Sequence, residues 1–277
     1  METFFSFLEK RVDDCSSLLC VGLDPHISGL KEPTAASALD FCLNLVKQTA
    51  PYAAAFKPNA AFFEQFGAEG WTALKDVISA INDESNRMGS MIPVILDAKR
   101  GDIASTAEAY AKSAFESLGA HCITLSPYLG KDSIEPFIGN PEKGVFLLCK
   151  TSNAGSMDLQ NLLVMPMGSD MPMPLYIYMA KLAEQWNVNN NVGIVVGATH
   201  PQIMEMIRAA VPDLWFMSPG VGAQGGELEL ALKSGLRADG KGMLIPISRG
   251  ISRAENPKLA AAEIRDQIVN IKRQISH

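Results

Sequence analysis

Eight short apolar, β-prone runs recur along the chain, and a longer helix-patterned segment follows most of them. The runs are SLLCVGLDP (17–25), YAAAFKPN (52–59), the stretch beginning MIPVILDAKRGD (91–106), HCITLSPY (121–128), VFLLCKTSN (145–153), NVGIVVGATH (191–200), DLWFMSPG (213–220) and GMLIPISRG (242–250). They are apolar almost continuously rather than in alternation, the pattern of parallel strands covered by helices. Helical spacing runs through 35–50, 70–87, 106–118, 175–186, 201–210, 228–236 and 257–275. Start signals stand at Thr34, at Ser105 or Thr106, and at Pro201. Eight strand–helix units in 277 residues predict a TIM (β/α)8 barrel, a fold of about 250 residues, as a single domain over 1–277. An open doubly wound sheet is the alternative, but it carries a glycine-rich loop after its first strand, and GLDPH is not one.

The runs also end alike. Asp24, Lys57, Asp97, Ser126, Ser152, Thr199, Ser218 and Arg249 close them in turn. Barrel enzymes draw their sites from the C-terminal ends of strands, so the polar endings predict one mouth lined by these residues. Ahead of the first run, METFFSFLEKRVDDCSS has acids among its apolar residues and reads as a capping helix, not a signal peptide. The segment 155–174, rich in Met and Pro, reads as a long loop after the fifth strand that could serve as a lid.

Composition removes several function classes. A net charge of -6 argues against a nucleic-acid partner, though it leaves room for a local anion site. No run of about 18 apolar residues offers a membrane span. Five scattered cysteines without a C-x-x-C fit reduced, buried thiols in a cytoplasmic protein. The four histidines lack metal-ligand spacing.

The third run delivers Asp97, Lys99, Arg100 and Asp102 within six residues. On a regular strand, residues 97 and 99 share a face, and an ammonium beside carboxylates is held in its charged form. Lys57 and Asp24, ending the second and first runs, would complete an alternating array of lysines and aspartates. At the other side, SPGVGAQGGE (218–227) holds four glycines, including Gly225, whose backbone N–H groups can turn toward an anion. The helix that follows would aim its N-terminus the same way. Gln224 adds an amide donor and Arg249 a bidentate guanidinium, so this end reads as a phosphate site.

Together these motifs resemble the orotidine 5'-phosphate decarboxylase family over nearly the whole chain. ILDAKRGDIAST is similar to its signature, with GLDPH, FKPNAAFFE, SPGVGAQGG and SRGI in its order, and DAKRGDI looks like a bacterial-type branch. The resemblance implies conversion of orotidine 5'-phosphate to uridine 5'-phosphate and carbon dioxide with neither metal nor organic cofactor. It also implies a homodimer with sites at the interface. Carried over, Lys57, Asp97, Lys99 and Asp102 would form the charged tetrad, with Lys99 as proton donor. Asp24 and Lys57 would hold ribose hydroxyls, while Asp102, Ile103 and Thr106 would reach into the partner's site. Ser152 would bond the pyrimidine amide edge, with Thr151 and Asn153 as alternatives, and Gln224 and Arg249 would hold the phosphate. Three rivals remain: a metal-using hexulose- or gulonate-phosphate barrel, which typically has an acid where Lys57 stands; a silent phosphate-ligand binder; and a Schiff-base aldolase.

Overall fold

Each apolar run becomes a strand. The computed structural model describes residues 2–168, 170–222 and 225–275. The strands are β1 (Leu19–Leu23), β2 (Ala55–Pro58), β3 (Ile95–Arg100), β4 (Cys122–Leu125), β5 (Gly144–Lys150), β6 (Val192–Val196), β7 (Phe216–Met217) and β8 (Met243–Ile247). All pair in parallel, each with its sequence neighbours, and β8 pairs β1. Between β2 and β3 the ring is closed by the bridges Phe56–Val94 and Asn59–Asp97. The result is the expected (β/α)8 barrel. Every residue of β1, β2, β4 and β6 is buried, which is why those runs could not alternate.

The helices of eight residues or more are α1 (Phe4–Cys15), α2 (Ala35–Thr49), α3 (Gly67–Met88), α4 (Ala104–Lys112), α5 (Leu175–Trp186), α6 (Pro201–Ala210), α7 (Gly225–Gly235) and α8 (Pro257–Ile275). Thr34 caps α2 by accepting from the Ser37 N–H at 3.2 Å, and Pro201 opens α6. The expected cap at Ser105 or Thr106 is not used. Helix α4 starts earlier, behind Ile103, whose side chain offers no cap. Backbone alone starts it: the Ile103 carbonyl accepts from the Thr106 N–H at 3.2 Å.

Helix α1 closes the N-terminal mouth. Thr3 and Ser6 form a reciprocal capping box. Its apolar face drives Phe5 flat onto Trp215, ring centroids 5.7 Å apart, and edge-on to Phe146 at 5.7 Å. A Cβ at Gly144 would lie 2.2 Å from the Phe4 ring, so only glycine lets α1 seat there. Arg11, 2% exposed, donates to the Ala50 and Ala53 carbonyls and ties α1 to the turn before β2.

The segment after β5 is not an open loop. It forms a short helix, Ser156–Leu159, and a two-residue antiparallel hairpin, Leu163–Val164 with Met173–Pro174. Met157, Leu163, Met165 and Met167 stand exposed on it. All five cysteines are free and buried. Among the described residues, no helix is long and apolar enough to cross a membrane.

Candidate active site

The tops of β2 and β3 bring the central charges together. Lys57 and Asp97 are 7% and 8% exposed, and the Lys57 ammonium lies 3.0 Å from Asp97 Oδ2. The other carboxylate oxygen, Oδ1, receives Lys99 Nζ at 2.5 Å and the Thr124 hydroxyl at 3.0 Å. The lysines differ in exposure: the Lys57 side chain is enclosed, whereas that of Lys99 is half exposed. Burial disfavours the charge on both Lys57 and Asp97, but their mutual attraction wins. Burial alone would lower the pKa of Lys57; Asp97 and Asp24 reverse this and raise it. Burial alone would raise that of Asp97; the two lysines instead bring it down to about 2. Lys57 is therefore held as an ammonium and is no amine nucleophile, which counts against the Schiff-base aldolase.

Lys99 is not on a regular strand. Its φ is +49°, in the left-handed region, and the β3–β4 register shifts between Leu96 and Arg100. The shared face expected from strand alternation is thus replaced by a bulge, which re-aims the ammonium at Asp97.

Lys57 also lines a cleft of about 820 Å³, together with Asp24, His26, Gly220, Arg249 and Arg253. Asp24 Oδ1 is buried with no hydrogen-bond partner, an acceptor at the cleft wall. Arg249 is exposed and lies in no ion pair among the described residues. Gly220 has φ +96°, the conformation its type permits, and the next glycine along, Gly222, donates its N–H to Glu227 Oε2 at 2.8 Å. The loop thus already turns a backbone donor toward an anionic oxygen. Gly225 opens α7; Gln224 lies outside the described residues.

Ser152 meets the glycine-rich loop: a Cβ on Gly220 would lie 3.6 Å from Ser152 Cβ. Thr151 donates to Asn153 Oδ1 at 2.6 Å and accepts from Gln160 at 2.9 Å. Those two alternatives bond each other, whereas Ser152 is exposed.

Asp102 does not join the cluster within the chain. Its carboxylate accepts from the Ile103 N–H at 2.8 Å and lies in no ion pair among the described residues. The strand ends at Arg100, so Asp102 lies in the turn beyond it rather than on the strand that carries Asp97. Ile103 is 52% exposed, and Thr106 is exposed beside it.

Two residues escaped the sequence reading. Thr124 looked like one more β-prone residue of HCITLSPY, and only the fold sets it under Asp97. Arg253 follows Arg249 by four in SRGISR, and that helical spacing was the available signal. Among the described residues, no group of three or more His, Cys, Asp or Glu is placed to hold a metal ion.

Comparison with known proteins points one way. The model of the orotidine 5'-phosphate decarboxylase / HUMPS family matches residues 17–264. The orotidine 5'-phosphate decarboxylase of Roseiflexus castenholzii is 44% identical over 276 residues, covering 96% of this chain and 97% of its own. That of Natronomonas pharaonis is 46% identical over 252 residues, covering 90% and 88%. The solved OMP decarboxylase of Leishmania donovani superposes with a TM-score of 0.86 at 52% identity, covering 98% of this chain and 99% of that one.

Proposed function

The chain belongs to the orotidine 5'-phosphate decarboxylase / HUMPS family and converts orotidine 5'-phosphate to uridine 5'-phosphate and carbon dioxide in pyrimidine biosynthesis; from that premise we propose that Lys99 carries the chemistry and that residues 1–277 act as one catalytic domain. Loss of carbon dioxide leaves an electron pair at ring carbon six with no adjacent electron sink. The Lys99 ammonium stabilises that developing carbanion and then delivers its proton to the carbon, while the pair that bonded the carboxylate stays on the ring. Asp97 faces the departing carboxylate and fixes the ammonium. Lys57 keeps Asp97 ionised and, with Asp24, binds the ribose hydroxyls. Ser152 meets the amide edge of the base. Arg249, Gln224 and the N–H groups around Gly225 grip the phosphate, whose binding energy is used at the ring. The hairpin after β5 covers the mouth.

The observation that carries this reading is one buried carboxylate, Asp97, holding two ammonium groups at 3.0 and 2.5 Å beside a cleft. A fixed cation is thereby available with no metal. The test is turnover of orotidine 5'-phosphate in the presence of a strong chelator, followed through the substrate's ultraviolet absorbance. Undiminished turnover is expected; loss restored by magnesium would move the chain to the metal-using branch.

A homodimer completes the site in this proposal. Asp102 lies in no ion pair with its own cluster among the described residues, Ile103 and Thr106 are exposed, and exposed Tyr128 and Leu129 follow the neighbouring strand β4. A second copy would bury these apolar side chains and receive Asp102. Mixing Lys99→Ala with Asp102→Asn subunits should then restore activity that neither has alone, to about a quarter of the native level, since each mixed dimer holds one complete site. No recovery after subunit exchange would sink the shared site.

A further inference from the structure

We propose that Thr124 is a positioning residue that aims Lys99, an inference that rests on Lys99 being the proton donor. A hydroxyl has one hydrogen to give and two lone pairs to receive. Thr124 uses all three. It accepts from the Ala98 N–H at 3.1 Å and the Lys99 N–H at 3.0 Å, and it donates to Asp97 Oδ1 at 3.0 Å. With both acceptor positions taken by backbone, its hydrogen has one destination, the carboxylate. Thr124 is 1% exposed, so it acts through its neighbours rather than on the substrate.

The backbone explains why this matters. In a regular parallel ladder, the N–H groups of β3 that face β4 would find carbonyl partners there. The β3–β4 register instead shifts between Leu96 and Arg100. Two consecutive amides turn to one side chain, and Lys99 takes φ +49°. That conformation is unfavourable for a residue bearing a Cβ and persists only where its surroundings impose it. Thr124 supplies the imposition. Without its hydroxyl, two part-buried amides lose their acceptor, Asp97 loses a donor, and the strand is free to straighten. Straightening would carry the Lys99 ammonium off the bearing at which it meets Asp97 Oδ1 at 2.5 Å. One hydroxyl therefore sets both the bend of the strand and the orientation of the carboxylate it bends toward.

Thr124→Val keeps the shape and removes the hydroxyl; Thr124→Ser keeps the hydroxyl. The expected result is a fall of about 100-fold in kcat for T124V with KM within about threefold, as when a reacting group is misplaced by about 1 Å. T124S should recover most of that loss. A crystal structure of T124V should show Lys99 at negative φ with its ammonium withdrawn from Asp97. Should T124V not fold, the same measurements on T124A decide the matter. Unchanged kcat, equal losses in the serine and valine variants, or Lys99 still left-handed without the hydroxyl would each overturn the proposal. The structural readout separates this inference from the reaction: a displaced Lys99 in T124V, beside a native enzyme that leaves orotidine 5'-phosphate untouched, would keep the positioning role and retire the decarboxylase mechanism.

Discussion

At the N-terminal mouth of the barrel, Phe5 of α1 lies against Trp215 and Phe146; at the C-terminal mouth, β2 and β3 bring together Lys57, Asp97 and Lys99. Different forces hold the two ends. The aromatic end is stabilised by removing apolar surface from water, a non-directional effect that tolerates small shifts. The charged end works only with specific atoms facing one another. It also contains a left-handed lysine and a buried acceptor without a partner on Asp24. One mouth holds the barrel shut, and the other keeps strain and charge where a reaction can use them.

Substitutions at the two mouths should separate these contributions. The largest effect is expected at the charged end. Lys99→Ala removes both the electrostatic stabiliser and the proton donor, and kcat should fall by about 10⁴-fold or more. Near-native turnover in steady-state kinetics would end the proposed mechanism. Thermal stability should change little, because the Lys99 side chain is half exposed. Phe5→Ala should do the reverse. Deleting a buried phenylalanine costs about 3–5 kcal/mol, visible in denaturant unfolding, while kcat per folded molecule stays native. A large kcat loss there would mean that the two mouths are coupled through the barrel.

The smallest effect is a pH dependence of the Lys57–Asp97 pair. The Asp97 pKa is depressed to about 2, so its contribution is present above the ordinary carboxylate range near pH 4. It is lost as pH falls through about 2. The size is about 2 kcal/mol. Lys57 is shifted the other way, so its share is present below about pH 10.5 and disappears as pH rises through its higher folded value. Replacing the pair together, as Lys57→Met with Asp97→Leu, should flatten the acid limb of the stability curve between pH 4 and 2. An unflattened limb would place the acid sensitivity elsewhere.

The fold was almost wholly legible, since buried parallel strands and amphipathic helices leave periodic traces. Helices α5, α6 and α8 begin and end where their spacing does. The site was legible in its residue types and less so in its geometry. The charges at 57, 97 and 99 could be read because a charge ending an apolar run is conspicuous. The left-handed turn at Lys99 could not, because its cause sits on another strand, in the hydroxyl of Thr124. Asp102 lies two residues beyond Arg100, where the strand has ended, and spacing along the chain cannot show that its carboxylate turns to the Ile103 N–H instead of pairing with Lys57 or Lys99. The hairpin after β5 was hidden by its brevity, two residues per arm.

The aromatic plug also has a consequence for how the chain is made. Phe5 and its partner Trp215 are 210 positions apart (215 − 5). At about 5–20 residues per second, a ribosome needs roughly 10–40 s to bring the second ring out after the first. Throughout that interval the FFSF face of α1 has been synthesised and has no barrel to close. Helix α1 emerges before the barrel it closes and docks only after Trp215 has followed it, so the nascent chain carries an uncovered aromatic face while the strands between them are made.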